Sequence, residues 1–140
     1  MPVRRCVSAL LTDEQGRLVI QLRDATPGLI FPNHWATLGG AIEADETPDE
    51  AMERELSEEI QPAPPVTFWR YFEHTYQDGK QQCMVANYVY VGKLSCPLAE
   101  IKLYEGQRLD AFRPDQINAL PIAYGLELVF KAFFETYASP

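Results

Sequence analysis

Two periods of apolar residues divide this chain. Leu18, Ile20 and Leu22 alternate with polar neighbours, as on a strand with one buried face. Cys6 to Leu11 is a continuous apolar run closed by Asp13-Glu14-Gln15-Gly16, so strand, turn and strand are predicted up to Arg23. Val66 to Tyr76 and Gln81 to Val91 are aromatic and β-branched, and the Asp78-Gly79 pair between them predicts a hairpin of the two longest strands. The other period is four: Met52, Leu56 and Ile60 make one helical stripe, and Leu126, Val129, Phe130, Phe133 and Phe134 make another, running to about Tyr137.

The remaining stretches read as connections. Asp24 to His34 is irregular, with Pro27-Gly28 and Pro32-Asn33 as turns, and Trp35 to Leu38 is a short apolar piece ending at Gly39-Gly40. Gln61 to Pro65 is too rich in proline for regular structure. Cys96 to Gln107 is mixed, Arg108 to Phe112 reads as a strand, and Arg113-Pro114 opens a short helix to Leu120 that Pro121 breaks. Strands on either side of one helix, with a second helix closing the chain, predict an α/β fold with a mixed sheet between helices. Without internal repeats, residues 1–140 are expected to form a single domain.

The first helix is well marked. Thr47 can cap it, Pro48 stands where a missing N–H costs nothing, and Glu50 completes a capping box, so helix is predicted from Pro48 to Ile60. At about 100° per residue, Glu55, Glu58 and Glu59 fall beside the apolar stripe rather than opposite it. Together with Asp49, Glu50 and Glu53 they face a single base, Arg54, and like charges three or four apart repel. Clustered hard oxygen donors suit Mg²⁺ or Mn²⁺. Taken alone, they suit a solvated acidic face better.

Composition narrows the function. With 46% apolar and 23% charged residues, the chain is an ordinary globule, and its net charge of −8 with no basic patch argues against a nucleic acid polymer as partner. A small-molecule nucleotide, whose phosphates arrive with metal, is not excluded. Cys6, Cys83 and Cys96 are odd in number without paired zinc-type spacing, which predicts free buried thiols in a reducing compartment. The apolar run near the N-terminus is too short for a signal peptide and no stretch could span a membrane, so no membrane partner and a cytoplasmic location are expected. Whether two copies pair as a homodimer is left open.

Gly40, five residues, Glu46, seven residues and then Arg54-Glu55-Leu56-Ser57-Glu58-Glu59 resembles the signature of the Nudix hydrolases, G-x5-E-x7-R-E-U-x-E-E-x-G-U with U aliphatic. Gln61 and Pro62 stand where that signature has glycine and an aliphatic residue, so a different helix exit is expected. The resemblance implies a Nudix-type α/β/α sandwich. It also implies Mg²⁺- or Mn²⁺-dependent hydrolysis of a diphosphate bond in a nucleoside diphosphate linked to another moiety. The alternative is a non-catalytic Nudix-like domain that binds a nucleotide as a regulator, which would be expected to lose a ligand glutamate or the arginine.

By that pattern Glu55, Glu59 and the Gly39 carbonyl would hold the metal, with Glu58 bound directly or through water. Glu55 is the first candidate for general base. Arg54 would pair with Glu46 and fix the loop that starts at Gly40. Glu105, in a Glu-Gly-Gln segment similar to one in some family members, would be an extra ligand or base, the alternative being an ordinary exposed loop glutamate. Arg23 could reach phosphate. Trp35 reads first as core and second as a base-stacking residue. Tyr124 falls near the position where one branch of the family reads its base with an asparagine. His34 and His74 lack matched partners and are assigned no role, and by period two about half of Phe68, Trp69, Tyr71, Phe72 and Tyr76 should face the core.

Overall fold

A computed structural model describes residues 1–137. Its main sheet is built on β1 (Val3–Thr12), whose residues alternate between two cores as period two requires. One edge of β1 runs parallel to β7 (Gln81–Lys93), from Val3 opposite Met84 to Thr12 opposite Lys93. β7 pairs in turn with its hairpin partner β6 (Val66–Asp78), and these two are the longest strands, as the Asp78-Gly79 turn predicts.

The other edge of β1 is shared. Leu11 and Thr12 pair with β2 (Leu18–Leu22), while Cys6 to Ala9 pair with β4 (Leu38–Ala41). β3 (Trp35–Ala36) stays with β2, so the chain crosses from one arm to the other at Thr37. That fork opens the sheet beside β1.

Helix α1 (Pro48–Glu59) lays Ala51, Met52 and Leu56 on Val7, Ala9, Leu11, Val19 and Leu38. On the opposite face, α3 (Glu127–Tyr137) lays Val129, Phe130 and Phe133 on Leu10, Leu18 and Ile20. Each fully buried side chain of this size contributes about 1.5–3 kcal/mol, so the two apolar stripes account for both helix positions. The expected mixed sheet between helices is what the chain forms.

The exit from α1 departs from a glycine-ended helix. Ile60 is extended, with φ −140° and ψ 158°, and its N–H donates to Leu56 O. The chain goes straight into β5 (Ile60–Gln61), paired with β8 (Lys102–Leu103), so the segment predicted to be irregular begins as a strand. This ladder draws the 100–107 segment alongside the end of α1, where Tyr104 N–H donates to Glu59 O at 2.8 Å.

β9 (Arg108–Phe112) pairs with β2 as a strand, and α2 (Pro114–Ile117) ends before Leu120, whose N–H turns back to Ile117 O. In β6 a bulge between Phe68 and Arg70 breaks the alternation. Phe68 and Tyr71 are exposed, whereas Trp69 packs on Phe72 and Phe133. Cys6, Cys83 and Cys96 are free thiols, the first two buried as expected and Cys96 only half-buried, and among the described residues no helix is long and apolar enough to cross a membrane.

Candidate active site

The loop and helix from Gly40 to Glu59 are organised by one guanidinium. Thr47 and Glu50 close the capping box at the start of α1, with donor–acceptor distances of 3.2 and 2.9 Å. Arg54 then reaches back across the loop, its Nε donating to Glu46 Oε2 at 2.5 Å and its Nη2 to Glu46 Oε1 at 2.8 Å and to Ala41 O at 3.1 Å. The same group donates to Glu55 Oε1 at 3.0 Å and lies 3.5 Å from Glu58 Oε2. Its hydrogen bond to Glu46 holds that carboxyl down at about 2. Arg54 therefore ties the loop to the helix and aims Glu55.

Glu59 is in a different situation. It is 1% exposed, and among the described residues its Oε1 and Oε2 accept only from Gly39 N–H at 2.8 Å and Gln21 Nε2 at 3.1 Å. Burial first, then the nearby charges of Glu105 and Glu55, push its carboxyl up to about 8 against the pull of the Gly39 N–H. Burial also raises Glu55, opposed by Arg54.

Both glycines of the turn are required, for different reasons. A Cβ on Gly39 would lie 2.0 Å from Val7 O, and its φ of 139° is already unsuited to a side chain. The nearest atoms to a Cβ on Gly40 would be those of the Glu55 carboxylate, at 2.6 Å. Gly40→Ala is thus expected to displace Glu55 and lower activity by about tenfold while shifting the melting temperature little, because a flexible side-chain tip gives way rather than backbone. Parallel melts and rates check this, and an unchanged rate would show that the position of Glu55 is unimportant.

Glu105 joins the site through its turn. Gly106 has φ 87° and no room for a Cβ, which would lie 2.5 Å from Gln21 Oε1. Gln107 N–H donates to Leu22 O, and its side chain donates to Arg23 O at 2.8 Å and Asn33 Oδ1 at 2.7 Å. The segment is pinned on β2, leaving the Glu105 side chain exposed at the opening.

Between the forked strands lies a cleft of about 330 Å³. Glu55, Glu59, Glu105, Gly39 and Gly40 line it together with a second group, Arg4, Arg23 and Tyr124. The Arg4 and Arg23 guanidiniums each sit 5.1 Å from the centre of the Tyr124 ring. Arg23 is also anchored by donating to Ile30 O at 2.8 Å. Among the described residues neither arginine makes an ion pair, so cationic and anionic groups share the cleft without cancelling.

Not every sequence candidate arrives here. The Glu58 side chain is 56% exposed and outside the cleft. Trp35 is 4% exposed and packs edge-on against Phe112, which leaves it the core reading rather than a stacking one. His34 is bonded to Pro32 O. His74, assigned no role, is buried on the cleft wall with Ser8 and Asn87, and Arg4 and Gln21 were also missed. Asn87 carried a usable signal, a lone amide inside a long apolar strand.

The sequence matches the family profile described as NUDIX domain over residues 2–131. The chain belongs to the Nudix family. A curated relative, the RNA pyrophosphohydrolase of Gluconacetobacter diazotrophicus, is 46% identical over 63 residues, which cover 43% of this chain and 38% of that protein's length. The MutT protein of Methanosarcina mazei Go1 shares the fold at 18% identity, with a TM-score of 0.77 over 99% of this chain and 97% of that one. The NUDIX domain of Shewanella oneidensis NrtR, solved in complex with ADP ribose, does so at 17% identity, with a TM-score of 0.69 over 97% and 90%.

A divalent metal, implied by the Nudix resemblance, can be tested against the donors present. Among the described residues no three His, Cys, Asp or Glu side chains stand close enough to hold an ion between them. Arg54 draws on Glu55, while Gly39 and Gln21 engage Glu59. The chemistry nevertheless fits. Glu59 is a carboxyl whose pKa is displaced upward first by burial and then by two other carboxylates, and an all-oxygen set of this kind suits a hard cation.

Proposed function

We propose that this Nudix protein hydrolyses a diphosphate bond in a nucleoside diphosphate linked to another moiety, with Mg²⁺ or Mn²⁺ held by Glu55, Glu59, Glu105 and the Gly39 carbonyl. The observation that carries the reading is the Glu59 carboxyl, buried beside Glu55 and Glu105 and, among the described residues, without a cationic partner. When bound, the metal neutralises charge that develops on the phosphates and makes water a better nucleophile. The protein's own part is to hold the reacting groups in place. Arg54 aims Glu55 and opposes the upward push of burial on its carboxyl, so Glu55 is the candidate to take the water's proton, while Arg4 and Arg23 offer donors to the rest of the substrate. Glu58, on the outer face of α1, takes the water-mediated role.

Retention of Glu55, Glu58, Glu59 and Arg54 favours hydrolysis over ligand binding alone, the reading that the ADP ribose complex of the NrtR domain suggests. The direct experiment is a panel of triphosphates, nucleotide sugars and 5′-triphosphorylated RNA, assayed with Mg²⁺ or Mn²⁺ and with and without an added phosphatase. Turnover of at least one class is expected. If no compound turns over although nucleotides bind, the binding domain is the correct reading.

Glu105→Gln should lower kcat by about tenfold or more with KM largely kept, the pattern of an interaction made chiefly in the transition state. Wild-type kinetics across pH and metal concentration would return Glu105 to the surface.

A further inference from the structure

The active-site cleft lies toward the start of β1, beside Arg4, Cys6 and Ser8. A second cleft, of about 560 Å³, opens at the other end of the same strand, beside Thr12 and its parallel neighbour Lys93. From Cys6 to Thr12 the strand rises about 20 Å, and the two clefts have no lining residue in common.

Charge sets the second cleft apart. Arg17, Lys93 and Arg113 line it and, among the described residues, no Asp or Glu does, in a chain with 20 acidic residues against 12 basic ones. Four other clefts, the active-site one included, each carry at least one carboxylate. On an acidic protein, three cations around one hollow with no acid between them concentrate positive potential there.

Much of that charge is free to meet a ligand. Among the described residues Lys93 makes no ion pair. Arg113 faces Asp115 only through Nε, at 3.5 Å between two exposed side chains, an arrangement that contributes little. Arg17 is partly committed, its Nε donating to Asp13 Oδ2 at 2.7 Å, but Asp13 also accepts from the backbone N–H groups of Gln15 and Arg17 and so closes the β1–β2 turn. This leaves the two terminal nitrogens of the Arg17 fork without a partner among the described residues, on a side chain held in place by its own turn.

The floor between the cations is aromatic. Phe133, Phe134 and Tyr137 come from the last turns of α3, with the Phe133 ring 5.6 Å from that of Phe134 and 5.0 Å from that of Tyr137. Phe133 is buried, Phe134 half-buried and Tyr137 exposed, so the rings rise from the core to the opening and offer an edge or a face to another ring. Guanidinium forks match the oxygens of a phosphate, three cations favour a dianion over a carboxylate, and the volume is that of a small-molecule pocket.

We propose that this cleft is a second ligand site, for a small phosphate monoester carried on an aromatic body. The proposal is independent of the hydrolase reading, since it uses none of the residues assigned to that reaction.

Glycine amides report where a probe binds, because Gly16 and Gly92 line this cleft and Gly39 and Gly40 the active-site one. In ¹H–¹⁵N spectra of the metal-free protein in EDTA, phenyl phosphate should move the Gly16 and Gly92 signals, with a dissociation constant on the order of 1 mM or tighter. Inorganic phosphate, benzoate and phenol, which supply the head, a single charge or the ring alone, should each bind at least about tenfold more weakly. Lys93→Glu, at an exposed position, should weaken phenyl phosphate by about tenfold or more and leave the melting curve unchanged. Tyr137→Ser should bring phenyl phosphate down to the affinity of inorganic phosphate. Inorganic phosphate or benzoate binding as tightly as phenyl phosphate in the wild type, or full affinity in Lys93→Glu, would overturn the proposal. Shifts at Gly39 and Gly40 with Gly16 and Gly92 unmoved would place the probe in the active-site cleft and overturn it too, as would no shift at all.

Discussion

Glu59→Gln should lower kcat/KM by about a hundredfold or more while the protein stays folded. The amide keeps the shape of the carboxyl and an acceptor for Gly39 N–H, and Gln21 can turn its own amide to accept from the new NH₂. What disappears is the charge that a cation needs. Melting curves in EDTA and in Mg²⁺ separate the two effects. Wild-type stability should rise with Mg²⁺, by about 2.7 kcal/mol at a hundred times the dissociation constant, and the variant's should rise less. Equal rises in both proteins would show that Glu59 is no part of a metal site.

The same carboxyl predicts how pH acts on the metal-free protein. Its folded pKa, at about 8, lies above the ordinary value of 4.5, so the folded state binds the proton more tightly than the unfolded chain does. This contribution to stability is fully present below pH 4.5 and is lost as pH rises through 8. At about 1.4 kcal/mol per unit it amounts to several kcal/mol. Metal binding runs the other way, because the proton must leave first. Apparent Mg²⁺ affinity should climb about tenfold per pH unit below 8, with close to one proton released per ion. Calorimetry in buffers of different ionisation enthalpy counts that proton. In Glu59→Gln both trends should flatten, and persistence of either would assign the proton to another group.

The helix that carries these groups was legible because its signals are local. Thr47, Pro48 and Glu50 mark its start by side-chain chemistry within one turn, and Met52 and Leu56 mark its inner face by spacing. Spacing could not separate Glu58 from Glu59. Both flank the same stripe, yet one is 56% exposed and the other 1%, because Gly39 and the ladder from Ile60 to Leu103 close over the end of α1. Gly39 and Leu103 both lie far along the chain from the glutamates they help to sort. The bulge at Trp69 escaped for a related reason: period two is a property of regular pairing, and nothing in the aromatic run shows where pairing slips by one residue. His74 and Asn87 meet only through strand register, at a separation of thirteen positions along the chain.

Gly39 and Gly40 are neighbours that answer to different constraints. The first has no alternative because strand β1 occupies the space, and the second because a carboxylate does. In a descendant that gave up catalysis but kept its shape, the second position would be free to drift and the first would not. Among relatives of this chain, loss of glycine at 40 with glycine kept at 39 would therefore mark a retired enzyme, before any of its acidic residues had changed.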